Sequence, residues 1–299
     1  MSLYTQQESN IRKTWLLFTV FFGVVIGVGY AMSYIWNNQA ILFGAVIFSS
    51  AMSVVSYWFS DKIVLSMSHA KKVEKRDAPE LYNALENLAI TAGLPMPRLY
   101  LIEDPSPNAF ATGRDAEHAV VAVTTGLLKI LDRAELEGVL AHELSHIGNR
   151  DMLLSTVAVI LVGFVSLVSD MLMRSYFWGS WRSDEDRGRG NVVIILVGVA
   201  LAILAPLAAQ LMQLAISRRR EFLADASGAM LTRYPEGLAL ALEKIGNNKQ
   251  PVVAATNATA HLYFSNPFKN KEGKHWFSKM FMTHPPIEDR IKILRDLKI

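Results

Sequence analysis

Two stretches of this chain, Trp15–Trp36 and Ala40–Ser60, contain no charged residue, and only Asn37, Asn38 and Gln39 separate them. At a rise of about 1.5 Å per residue, each is long enough to cross the roughly 30 Å hydrocarbon core of a bilayer. Trp15, Tyr34 and Trp36 lie near the ends of the first run, and Tyr57 and Trp58 near the end of the second. Amphipathic rings prefer such interfacial positions. The first run is longer than a signal-peptide core, and no small-residue cleavage site precedes the second. A retained transmembrane hairpin is therefore expected. Arg12 and Lys13 precede it, and Asp61, Lys62, Lys71, Lys72, Lys75 and Arg76 follow, whereas its central turn carries no basic residue. The positive-inside rule then places the N-terminus and the chain after residue 61 in the cytoplasm.

A second apolar pair follows later. Met152–Met173 is interrupted only by Asp170, and Asn191–Ser217 is uncharged and closed by Arg218, Arg219 and Arg220. Pro206 can kink such a helix without ending it. Two full spans are expected, with a partly inserted hairpin as the alternative; either brings residues 151 and 218 back to the same side. Hydrophobic residues make up 51% of the chain and charged ones 19%, more apolar than most soluble proteins. The net charge of +3, with no arginine tract interleaved with aromatics, gives no case for nucleic acid. There is no cysteine, so disulfides and thiolate metal sites are excluded and any metal must use His, Asp or Glu.

Between the two apolar pairs lies Ala141–Asp151, which reads AHELSHIGNRD. His142 and His146 are four apart and so share a helix face, with Glu143 beside them. Such a pair can hold one divalent ion, and zinc suits imidazole. A zinc ion there makes water acidic, and Glu143 is placed to take the proton, an arrangement suited to peptide hydrolysis. A packed histidine pair is the alternative. Asp132 and Glu135 form a D-x-x-E capping box, which predicts a helix beginning near Arg133, and Leu136, Val139, Leu140, Leu144 and Ile147 recur at helical spacing. Beyond the second apolar pair, Glu221 and Asp225 again share a helix face. Glu221 is the expected third ligand, and Asp225 can accept the second ring N–H of a ligating histidine. The competing reading is a solvated acid balancing Arg218–Arg220.

Elsewhere, Asp77 and Glu80 predict a capping box for a helix ending near Gly93. Arg98–Ile102 and His118–Val123 read as strands. Asn108, Ala109, Phe110 and Ala111 lie between them, followed by turn-like Arg114 and Asp115, so a hairpin should precede the histidine helix. Its edge can pair with an extended peptide, or it can be a plain structural hairpin. Pro235 should open another helix. Pro286 should sit in the first turn of a last helix marked by Ile287, Ile291 and Leu294. His284 or Arg290 is a candidate partner for a tetrahedral oxyanion, and His261 a weaker one; capping or core packing is the alternative for the first two.

His142-Glu143-Leu144-Ser145-His146, Glu221-Phe222-Leu223-Ala224-Asp225, the four apolar runs and Asn108-Ala109-Phe110-Ala111 together resemble the HtpX-type membrane proteases of the M48 zinc metallopeptidases. The resemblance covers nearly the whole chain. It implies one Zn²⁺ per subunit held by His142, His146 and Glu221, Glu143 as general base, Asp225 in support, and substrate along Asn108–Gly113. It also implies a bacterial inner-membrane enzyme acting on damaged or misassembled membrane proteins. The expected fold is a mainly α membrane protein with four transmembrane helices and a cytoplasmic α+β zincin-like metalloprotease domain containing a small sheet. In chain order this gives a transmembrane hairpin (1–61), a first catalytic part with the histidine helix (62–151), a second hairpin (152–217) and a second catalytic part (218–299). The expected partners are protein substrates and the bilayer. A transporter and a non-catalytic scaffold are the rivals; the near absence of charge inside the runs argues against the first.

Overall fold

A computed structural model describes residues 3–35, 37–158, 160–161, 218–248 and 285–297. The first apolar run lies in α1 (Leu3–Ile35) and the second forms α2 (Gln39–Trp58). Asn37 turns the chain at a φ of 47°, and the Asn38 carboxamide oxygen caps α2 by accepting the Ala40 N–H. The two helices pack so closely that a Cβ at Gly29 would collide with Ala45. Their outer faces expose Trp15, Tyr34, Phe43, Ile47 and Trp58, as expected of lipid-facing surface. Among the described residues, these are the two helices long and apolar enough to cross a bilayer. The expected third and fourth spans fall mostly in residues 162–217, outside the described residues.

After a short α3 (Ser60–Met67) the chain enters a four-stranded mixed sheet of order β1-β2-β4-β3. Its strands are β1 (Lys71–Lys72), β2 (Arg98–Ile102), β3 (Ala109–Thr112) and β4 (Val120–Thr124). The predicted hairpin is β3–β4, paired antiparallel from Ala109↔Val123 to Thr112↔Val120. The two strands read from sequence, β2 and β4, run parallel to each other. β4 begins later than expected because Asp115 closes a turn by accepting the His118 N–H at 2.8 Å, which leaves His118 in a short 3-10 turn.

α4 (Pro79–Ala92) ends at Gly93 in the left-handed conformation, as its sequence predicts. The capping box expected at its start does not form. Pro79 at the first helical position makes Ala78 the cap residue, and Asp77 instead closes a turn by accepting the Glu74 N–H. α5 (Thr125–Ile130) leads into α6 (Arg133–Gly148), where the predicted box is complete. Asp132 accepts the Glu135 N–H at 2.9 Å and Glu135 accepts the Asp132 N–H at 2.8 Å. A helical segment, α7 (residues 151–158), follows α6. The chain resumes in α8 (Arg218–Thr232), α9 (Pro235–Asn247) and α10 (Ile287–Asp296), with Pro286 at the cap of α10.

One core joins both sides of the 152–217 interruption. Leu85, Leu88, Leu99, Val121, Val123, Val139, Leu140, Leu144 and Ile147 pack with Leu238, Leu242, Ile245 and Leu294. Glycine permits the tightest contacts. A Cβ on Gly138 would stand 2.8 Å from the Leu238 nitrogen, so α6 and α9 touch backbone to backbone. A Cβ on Gly228 would stand 2.9 Å from the His142 nitrogen and 3.2 Å from its Cα. α8 therefore lies against the histidine-bearing turn of α6, and Glu221, Asp225 and Gly228 share the α8 face that meets it. Gly228→Ala should force the two helices apart. The expected cost is about 1–3 kcal/mol of overpacking, read as a lower Tm with loss of bound zinc; an unchanged Tm and zinc content would show that the approach can relax.

Candidate metal centre

His142 and His146 point the same way from consecutive turns of α6, with their rings perpendicular and 4.7 Å apart between centroids. Their Nε2 atoms are 3.1 Å apart. Glu221 of α8 brings Oε2 to 3.8 Å from His142 Nε2 and Oε1 to 3.7 Å from His146 Nε2. A tetrahedral zinc with bonds of about 2.0–2.1 Å holds its donors roughly 3.4 Å apart, so these separations bracket what the ion needs. Among the described residues this is the cluster able to hold a metal. Among the described residues it offers three ligands, the number a catalytic zinc site takes from its protein.

Each histidine is oriented from behind. Asp225 Oδ1 lies 2.9 Å from His142 Nδ1. Asp151 Oδ2 lies 2.9 Å from His146 Nδ1. Both contacts place the ring proton on Nδ1 and free Nε2 for the metal. Asp225 is itself clamped by Arg290, which donates from Nε at 2.8 Å and Nη2 at 2.6 Å. Nη1 of Arg290 stands 3.7 Å from Glu221 Oε2. Arg290 is fully buried and holds α10 against α8 at the metal site. The sequence makes Arg290 a candidate oxyanion partner, with capping or core packing as the alternative; here its guanidinium is engaged with Asp225. His284 and His261 lie outside the described residues.

The charge balance also fits a divalent ion. Glu143, Asp151, Glu221 and Asp225 are all buried around the two histidines, against the buried cations Arg220 and Arg290. Buried carboxylates in excess of buried cations are costly unless something neutralises them. A zinc ion would bring two positive charges to this group of described residues.

The two histidines differ in their hold on a proton. Burial pushes His142 down to about 4 against the pull of Asp225, so the ring is neutral at pH 7. Burial acts in the same direction on His146. The hydrogen bond to Asp151 and the charges of Glu221, Asp151 and Glu143 outweigh it, raising that ring to about 9. Burial would raise Asp225, but Arg290 and His142 hold it down at about 2.

Asp151 escaped the sequence reading because it is five residues from His146 and beyond the end of α6, off the helical spacing. Arg150 takes a left-handed φ of 56°, which ends α6 and swings Asp151 back onto the histidine. The residues read from sequence as a substrate edge lie at β3, which packs on α6. Asn108 precedes β3, and Ala109, Phe110 and Ala111 form it at the end of the sheet next to α6. The Thr124 N–H donates to the Asn108 carbonyl at 2.9 Å. That register turns the main-chain groups of Ala109 and Ala111 away from β4, toward the outer edge.

A helix-borne histidine pair, a glutamate between them and a third carboxylate from a distant helix define a zinc metalloendopeptidase. The sequence profile of peptidase family M48 matches residues 75–298, and the chain belongs to that family. It is 46% identical over 295 residues to a "Protease HtpX homolog" of Dictyoglomus thermophilum, covering 98% of this chain and 94% of that one. It is 44% identical over 303 residues to one from Caldanaerobacter subterraneus subsp. tengcongensis, covering 100% and 99%. It is 46% identical over 304 residues to one from Lactobacillus helveticus, covering 99% and 100%. The protein is an HtpX-type protease that acts on protein substrates, and α1 and α2 mark it as membrane-associated. The fold is also similar to the crystal structure of S. mikatae Ste24p, with a TM-score of 0.50 and 18% identity over 97% of this chain and 67% of that one.

Because His146 carries a proton at pH 7 and His142 does not, zinc must displace one proton on binding. Calorimetric zinc titrations in two buffers of different ionisation heat should show about one proton released per ion at pH 7. Affinity should weaken about tenfold per unit as pH falls from 9. Release of none, or of two, would contradict the assigned states.

Proposed function

We propose that this chain cuts misfolded or damaged membrane proteins at the cytoplasmic face of a bacterial inner membrane. The observation that carries this reading is the His142–His146–Glu221 cluster, whose atoms lie within 4.8 Å of one another, in a domain joined directly to a transmembrane hairpin. A zinc ion held by His142, His146 and Glu221 would supply a water of lowered pKa and a Lewis acid for the scissile carbonyl. Glu143, buried beside His142, is the general base: it takes a proton from the attacking water and passes it to the leaving amine. Asp225, Asp151 and Arg290 hold the ligands in place, and Arg290 serves the site through Asp225 and Glu221. The outer edge of β3 receives the substrate as an added strand, which gives main-chain recognition with little demand on side chains. Such tolerance suits an enzyme whose substrates share a damaged state and no common sequence.

The topology proposed is four spans, with both termini and the catalytic domain in the cytoplasm. Residues 151 and 218 then sit just inside the bilayer, and the active site faces chains leaving the membrane at that level. His284 remains the proposed oxyanion partner from the segment before α10.

Glu143→Gln should leave zinc bound and lower casein cleavage by at least about a thousandfold, since it removes the proton acceptor while keeping shape. Glu221→Gln should lose zinc as well. Cleavage at the wild-type rate by E143Q would remove the assigned base and favour a scaffold. The absence of native cysteine makes topology directly testable. In intact bacteria, N38C should react with a membrane-impermeant maleimide, and K75C only after permeabilisation; the reverse pattern would invert the proposed orientation.

A further inference from the structure

The first membrane helix enters the metal site. α1 has 33 residues, roughly 50 Å at 1.5 Å per residue, against the roughly 30 Å of hydrocarbon it must cross. Hydropathy averaged over a window favours Glu8–Gly27 as the span, but that window contains Arg12 and Lys13. The cost of burying them in lipid sets the boundary at Trp15. The turns before Trp15 therefore stand clear of the hydrocarbon and lie against the catalytic domain.

There Asn10 is completely buried. Its side-chain amide donates to the Asn149 carbonyl at 3.1 Å, satisfying an orphan acceptor at the end of α6. The same amide donates to Asp151 Oδ1, while the other oxygen of Asp151 faces His146 Nδ1 at 2.9 Å. Two turns on, Leu17, Phe18 and Phe21 of α1 pack on Leu154, Val157, Ala158 and Leu161, which continue the chain from Asp151. The relay Asn10–Asp151–His146 is thus held at its far end by a helix more than a hundred residues away in sequence.

We propose that Asn10 is a positioning residue for the zinc: the N-terminal membrane helix fixes the Asp151 carboxylate, and through it the His146 ring, so that metal affinity depends on this anchor being docked. A neutral donor suits the task. It holds Asp151 in one rotamer without competing for its charge, which a lysine or arginine at this place would divert from His146. The inference rests on His146 being a zinc ligand. Its consequence is that an anchor pulled away from the domain leaves a protease with a loosened ligand.

The test uses the full chain in detergent micelles or nanodiscs, in an E143Q background that prevents self-cleavage. Zinc affinity is measured by competition with a chelator of known affinity for Asn10, N10A, N10Q, D151A and the N10A/D151A double variant. Thermal unfolding in EDTA reports the fold. N10A should weaken zinc binding about tenfold to a hundredfold, the range expected for groups that orient ligands. N10Q, which keeps the amide, should recover part of this and guards against a misfolded alanine variant. The double variant should bind zinc no more weakly than D151A alone, because Asn10 acts through Asp151. A purely structural Asn10 would lower the Tm and leave zinc affinity unchanged in N10A, and an Asn10 acting on the metal by another route would make the double variant bind zinc more weakly than D151A alone; either result overturns the proposal. Failure of the metal assignment shows separately, as zinc binding indifferent to H146A, and that outcome overturns both.

Discussion

The metal site depends on two helices touching without side chains between them. Gly228 lets α8 lie against the backbone at His142, and Glu221 is two turns earlier on the same face of α8. A Cβ at residue 228 would stand 2.9 Å from the His142 nitrogen, so one helix would have to shift away from the other. Gly138 does the same between α6 and α9. α6 is therefore gripped on two sides by elements from the second part of the chain, with the apolar core beneath. The chemistry is held by rigid helices throughout, the kind of support that keeps a catalytic geometry within fractions of an ångström.

Around that contact, among the described residues, Glu143, Asp151, Glu221 and Asp225 are buried against Arg220 and Arg290. Asp225 is stabilised by the bidentate Arg290 and by His142. Asp151 is stabilised by His146 and Asn10. Glu221 faces both histidine rings and the Arg290 guanidinium. Binding zinc would add positive charge to this group as well as forming the active site, so metal affinity and stability are linked.

The sheet and the membrane hairpin set where that centre operates. β3 is the edge strand of the sheet, and all four of its residues are buried. α1 is longer than a bilayer requires, and its excess turns are part of the catalytic domain's packing. Domain and anchor are in this respect one structure, since Asn10, Leu17 and Phe21 are buried by residues on either side of the α6–α7 junction.

Much of this was legible along the chain because helices and spans are local. The H-E-x-x-H spacing, the Asp132–Glu135 capping box, the charge-free runs and the Glu221–Asp225 pair each need only residues within a few turns to express themselves. Arg290 was visible as a candidate, but its role was not, since a guanidinium's partner depends on which helix folds over it. The parallel pairing of β2 with β4 and the failure of the Asp77 cap were likewise settled by neighbours that no local pattern names. Asp151 and Asn10 were illegible for a further reason: one works through a left-handed turn at Arg150, the other across a separation in sequence that no periodicity spans. The sequence by itself determined which groups could bind a metal and which segments could enter lipid, because those are properties of residue type and spacing. Only the tertiary structure decided which acid faces which base, because a buried charge takes its meaning from the charges packed against it.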